Sequence, residues 1–295
     1  MERIRTDLAL EARELWQESA DGATKLEGVE ARESMREGLR VERVDILDER
    51  GQRALQKPVG TYITLTLEGV AKREADIFGR GVRAVGGELA EIMKDIPPEG
   101  LVLVAGLGNR NITPDAVGPK VHQHILVTRH LVSQMPEYFG QLRPVASLAA
   151  EVLGNTGVES GEVVRAVCER IHPSCVIAVD ALASRSLNRL CRTIQITNTG
   201  IVPGSGVGNH RVALDRASLG VPVIALGVPT VVEGRTLIAD LMKAKEIPPL
   251  EGGELLVTPR DIDSAVADLS KIIGYGISLG LQPGMTVEDL DMLLA

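Results

Sequence analysis

Three strongly apolar runs constrain this chain more than any other feature: LVLVAGLG (101–108), CVIAVDAL (175–182) and VPVIALGVPTVV (221–232). A strand with one wet face alternates apolar and polar residues, whereas a continuous run reads as a strand covered on both faces. Such strands belong to parallel sheets packed between helices. Helix-forming stretches separate or follow the runs at 119–135, 160–171 and 235–245, with a further helical region from about 259. Alternation of this kind predicts an α/β chain, a three-layer α/β/α sandwich with a mostly parallel central sheet, in one domain over 1–295.

The flanks fit the same plan. RVERVDIL (40–47) and VGTYITLTLEG (59–69) read as strands, the second alternating Tyr62, Thr64 and Thr66 with Ile63, Leu65 and Leu67. TIQITNTGI (193–201) is a shorter, more polar strand. Residues 1–40 are charged and helix-prone, anchored by Leu8, Leu15 and Trp16, and 70–95 reads as a helix ending before Pro97-Pro98. Aromatic residues make up only 2% of the chain, so aliphatic side chains must fill the core.

Charge narrows the partners. A net charge of −8 argues against nucleic acid or an anionic membrane, since both select basic surface. The N-terminus lacks a signal-peptide core, and no apolar run reaches the roughly 18–20 residues of a membrane span, so a cytoplasmic protein is expected. Cys168, Cys175 and Cys191 form no CxxC pair and read as reduced packing residues.

Two of the apolar runs deliver an aspartate: Asp115 in LVLVAGLGNRNITPDAVGP and Asp180 in CVIAVDALASR, each expected to precede a turn into a helix. Ligands of open parallel sheets bind beyond the carboxyl ends of the strands. Each aspartate also has a structural reading. Thr113-Pro114-Asp115 resembles a helix start, and Asp180 could satisfy backbone amides as a strand ends. Taken together they suggest a catalytic pair. Two carboxylates sharing a proton leave one ionised to activate water and one neutral to polarise a scissile carbonyl.

Other chemistries find less support. Gly106-Leu107-Gly108 lacks the third glycine of a dinucleotide fingerprint, Asn111 standing in its place, and PGSGVG (203–208) has no Lys-Ser/Thr after it. Both read as structural or substrate-shaping turns. There is no HExxH and no GxSxG, and Ser184 and Ser205 have no base nearby in sequence. His122, His124 and His130 fall on one predicted helix without the spacing of a metal face, so no metal and no cofactor is expected.

Several motifs in order resemble the spore germination protease family: IRTDLALEA (4–12), GLGNRNITPDAVGP, VTRHL (127–131), VDALASR, IQITNTGI, PGSGVGNHR (203–211), VPVIALGVPTVV and VTPRDID (257–263). The likeness spans nearly the whole chain, which looks compact at 243–254, where others carry an insertion. It implies an endopeptidase that starts the degradation of small acid-soluble spore proteins during germination, made as a zymogen and assembled as a homotetramer in the spore core. It places the catalytic pair on Asp115 and Asp180, on a fold similar to that of hydrogenase maturation peptidases. It also implies cleavage after an acidic residue and before a hydrophobic one followed by alanine, a form that Asp7-Leu8-Ala9 has. Self-processing between Asp7 and Leu8 is therefore expected, with the exposed terminus removed through Asp7 as a short propeptide. An acidic residue at the cut needs a cationic pocket, for which Arg185 and then Arg129 are the candidates. Two alternatives stay open: a metal-dependent maturation-type peptidase on the same fold, and a non-catalytic module that binds spore proteins.

Overall fold

The computed structural model describes residues 6–19, 26–72, 74–204, 212–242 and 255–294. Its strands are β1 (Val29–Arg36), β2 (Leu39–Ile46), β3 (Gly60–Thr66), β4 (Val102–Gly106), β5 (Val145–Ala149), β6 (Cys175–Ala183), β7 (Thr193–Thr197), β8 (Val223–Glu233) and β9 (Leu256–Val257). They form one sheet in the order β1-β2-β3-β7-β8-β6-β4-β5, with β9 on β8. The three apolar runs supply β4, β6 and β8, which with β5 make the parallel heart of the sheet. The remaining strands join antiparallel, yet along the main row only β2 and β7 run against the others.

Helices α1 (Ala9–Ser19), α2 (Ile77–Ile92), α3 (Val117–His122), α4 (Ser160–Ile171) and α5 (Ile262–Leu281) are the principal cover. On one face Val104, Ile177, Val179 and Leu226 pack with Val85 and Leu89 of α2, Val117 of α3, and Ile273 and Ile277 of α5. On the other, Leu103, Ala105, Val176 and Ala178 meet Val164 and Cys168 of α4, while α1 covers Val44, Ile46 and Tyr62. Strands buried on both faces are what continuous apolar runs require, and the expected three-layer sandwich is the fold observed.

Three local expectations are corrected. Among the described residues of the first 40, only Ala9–Ser19 is helical; Val29–Arg36 is instead an edge strand, turned onto β2 through Glu37-Gly38. Its charged, exposed residues suit an edge that must not recruit another strand. The stretch at 119–135 divides into α3 and a separate helix, Arg129–Gln134. Between them Thr128 is drawn onto β5, its N–H donating to Val145 O at 3.0 Å and its Oγ1 accepting from Val145 N at 2.9 Å. The helix expected at 70–95 starts at Ile77, after a short turn of helix Glu68–Lys72. By contrast α4 matches its expected limits, because Glu159 and Glu162 form a reciprocal capping box at its start. Among the described residues no helix is long and apolar enough to cross a membrane.

Candidate active site

The loop after β4 is built to hold Asp115. Gly108 sits at φ +105°, where an L side chain is strained, and a Cβ there would lie 2.1 Å from Asp115 O. The loop closes when Asn109 N–H donates both to Asp115 O at 3.0 Å and to Asp115 Oδ2 at 2.9 Å. Thr113–Asp115 forms a single 3₁₀ turn, pinned by Thr230 Oγ1 donating to Pro114 O at 2.7 Å and by Thr113 Oγ1 donating to Asp263 at 2.8 Å. Asp115 therefore orients its own loop; no side chain caps α3, which follows it.

Asp180 reaches the same edge from β6. In register, Gly106, the last residue of β4, lies beside Val179, so Asp180 is the first residue of β6 beyond the end of β4. Leu107 N–H donates to Val179 O at 2.8 Å, and a Cβ on Gly118 would lie 2.5 Å from that same oxygen. The segment carrying Asp115 is thus laid directly against the backbone that carries Asp180. The turn expected after Asp180 is absent, because β6 continues along β8 to Ala183. Asp180 is buried, its Oδ1 accepting from Ala181 N at 2.9 Å, while Asp115 is partly exposed. Next to them, Asn155 donates to Asn109 Oδ1 at 3.0 Å and Arg110 pairs with Glu151. Burial works against ionisation of Glu151, but Arg110 and Asn155 outweigh it and hold the carboxyl below its usual range.

The N-terminal segment lies over this edge. Asp180 is paired with Gly227 of β8, and Gly227 with Gln195 of β7, so these three residues form one row with their side chains on one face. Gln195 is buried and gives both ends of its amide to the segment. Its Nε2 donates to Asp7 O at 3.2 Å and its Oε1 accepts from Ala9 N at 2.9 Å. Asp7 N–H donates to Ala183 O at 3.0 Å, and Asp7 Oδ2 accepts from Ala183 N at 2.8 Å. Lys57 Nζ donates to Thr6 O at 2.9 Å. Burial lowers the ammonium pKa of Lys57, against the pull of the Asp7 and Glu11 carboxylates beside it. Leu8 and Ala9 are fully buried, so Asp7–Leu8 is not the exposed terminal bond that the sequence suggested. Residues 1–5 lie outside the described residues.

The cations expected to read an acidic substrate are placed elsewhere or already engaged. Arg185 pairs with Asp240 at 2.8 Å and Glu18 at 2.9 Å, the salt-bridge role that long surface cations commonly take. Arg129 is exposed at the amino edge of the parallel strands, since the adjacent Thr128 is bonded to Val145 at the start of β5; it is not brought to Asp115 and Asp180. Among the described residues Lys57 is a cation held at the Asp7 segment, through Thr6 O, and neither it nor Gln195 carries a local motif. Only β3 and β7, which bring them to α1, bring them to the site.

The histidines do not share a helix. His122 ends α3 with Nδ1 2.8 Å from Ser147 Oγ, His124 follows it, and His130 lies on the next helix. Burial lowers the pKa of both His122 and His124. All three cysteines are buried, and burial pushes the Cys175 and Cys191 thiols up to about 12. Ser184 is buried and donates to Ser186 O at 3.1 Å, whereas Ser205 and most of the PGSGVGNHR loop lie outside the described residues, as does 243–254. Among the described residues no three His, Cys, Asp or Glu side chains are grouped to hold a metal ion.

A family model described as Germination protease matches residues 9–244. The Germination protease of Caldanaerobacter subterraneus subsp. tengcongensis is 44% identical over 99% of this chain and 98% of its own length. That of Clostridium perfringens strain SM101 is 41% identical over the whole of both chains. The chain belongs to the germination protease family. Among solved structures, the [NiFe] hydrogenase maturation protease HycI of Thermococcus kodakarensis KOD1 superposes with a TM-score of 0.37 at 15% identity, covering 64% of this chain and 98% of its own. A likeness at that level adds nothing to the reading of the site. Membership makes the chain a protease of spore germination, and both Asp115 and Asp180 lie inside the matched span.

Proposed function

We propose that this family member is an endopeptidase that opens the degradation of small acid-soluble spore proteins, cutting after an acidic residue and before a hydrophobic one. Asp115 and Asp180 are its water-activating pair. The observation that carries the reading is the full-length match to germination proteases, in a chain that carries Asp180 on β6 just past the end of β4 and Asp115 on the loop that follows β4. An ionised carboxylate takes a proton from water as the water attacks the carbonyl carbon; its protonated partner gives a hydrogen bond to the carbonyl oxygen and then a proton to the leaving amine. Assembly as a homotetramer and synthesis as a zymogen belong to the same proposal and rest on the resemblance. Incubation of the purified chain with a small acid-soluble spore protein, with mass spectrometry of the fragments, should find new termini after Glu or Asp. An intact spore protein, or cuts without regard to acidic residues, would refute it.

Self-processing at Asp7–Leu8 is part of the proposal, and burial of Leu8 means that the packing of α1 must first loosen for water to reach the bond. Glu11 is the lock. Fully buried, it accepts from Arg185 N at 2.6 Å, Ser186 N at 3.1 Å and Arg189 Nη1 at 3.1 Å, tying α1 to the loop after β6. Glu11→Ala should cost about 2–3 kcal/mol of stability by leaving those donors unmatched. It should also speed the loss of Met1–Asp7, followed by intact mass and N-terminal sequencing. Active protein that still begins at Met1 would end the processing proposal.

A further inference from the structure

We infer that Lys57, Gln195 and the Ala183 backbone form the subsite that receives the acidic residue of a cleaved chain, with Asp7 as its resident occupant. The inference rests on the endopeptidase reading above and assigns its specificity. Gln195 holds the carbonyl of Asp7 and the N–H of Ala9, both main-chain groups, so it would hold a peptide of any sequence that takes the same bend. Ala183 pairs with Asp7 through its N–H and its C=O, one to the carboxylate and one to the main chain. Charge selection then falls to Lys57, whose ammonium is held at this segment by its bond to Thr6 O, the residue before Asp7. Glu11 is already satisfied by Arg185, Ser186 and Arg189, which leaves Asp7 as the carboxylate that a substrate would replace.

The arrangement fits recognition better than simple anchoring. Anchoring α1 needs apolar contact, which Leu8, Ala9 and Leu10 already supply. A buried amide with both ends committed to one short segment is left unpaired when that segment withdraws, and a second peptide of the same form restores both bonds. The oxygen held by Gln195 is the carbonyl of the expected scissile bond, in the row that runs through Gly227 to Asp180, where the Leu182 side chain fills the space that a side chain on Gly227 would take. In this role Lys57 determines specificity and Gln195 positions the peptide.

The test compares two peptides that differ only in Glu or Gln before a Leu-Ala pair. The full-length chain is used, as wild type, Lys57→Gln, Lys57→Arg and Gln195→Leu, with folding of each followed by circular dichroism. Wild type should favour the Glu peptide in kcat/KM by roughly 30-fold, the usual consequence of an unmatched buried charge. Lys57→Gln should abolish that preference, mainly through KM, and Lys57→Arg should restore most of it. Gln195→Leu should weaken both peptides alike and leave the preference intact. A folded Lys57→Gln that keeps the preference, or a Gln195→Leu with undiminished turnover, overturns the subsite while the endopeptidase reading stands. Wild type that cuts neither peptide nor spore protein overturns both.

Discussion

Asp180→Asn should lower turnover of spore protein by roughly 10³-fold while the fold survives, and Asp115→Asn should do the same. Asparagine keeps the shape and one acceptor oxygen of each side chain. Asp180 could still accept from Ala181 N and Asp115 from Asn109 N, contacts that each makes now. Weakening either of those hydrogen bonds costs folding about 1 kcal/mol or less. The loss to catalysis is a proton acceptor or a proton donor, which an amide cannot replace. Single-turnover rates with matched thermal melts separate the two effects. Either variant turning over like wild type would refute the pair, and loss of activity only together with loss of folding would reduce it to structure.

The second large effect is expected at Gly118. A Cβ there would sit 2.2 Å from Leu107 O, 2.3 Å from Leu107 N and 2.5 Å from Val179 O. All three are backbone atoms, so no side chain can turn aside. Gly118→Ala must push α3 and the preceding turn away from β4 and β6, at a cost of about 3 kcal/mol or more, since overpacking against fixed backbone is among the severe mechanisms. Asp115 is carried in that turn and would move with it, so activity should fall even in protein that remains folded. Urea denaturation measures the first effect and peptide turnover of the folded fraction the second. A variant within 1 kcal/mol of wild type, roughly the span of a harmless surface change, would show that the contact relaxes freely.

Sequence patterning was most informative where burial is continuous. The runs that became β4, β6 and β8 are apolar at nearly every position because both faces are covered, and no helix-forming pattern competes with that signal. It was weakest at the margins. β1 is half charged and almost wholly exposed and pairs only because β2 offers an edge, and β5 is too short and half-buried to announce itself. The helix read through 119–135 failed at Thr128, whose bonds to Val145 are tertiary and have no local sign.

The same division runs through the site. Sequence alone determined the sandwich and, through its resemblance, a protease of germination, because strand burial is a local property of a run. Tertiary structure decided the contacts around the site. It tied Arg185 to Glu18 and Asp240, sent Arg129 to the opposite edge, and laid Asp7 beside Lys57 and Gln195, far from it in sequence. Those placements depend on β3 and β7 entering the sheet between β2 and β8, a pairing set by the register of whole strands and by no residue near the contacts it creates.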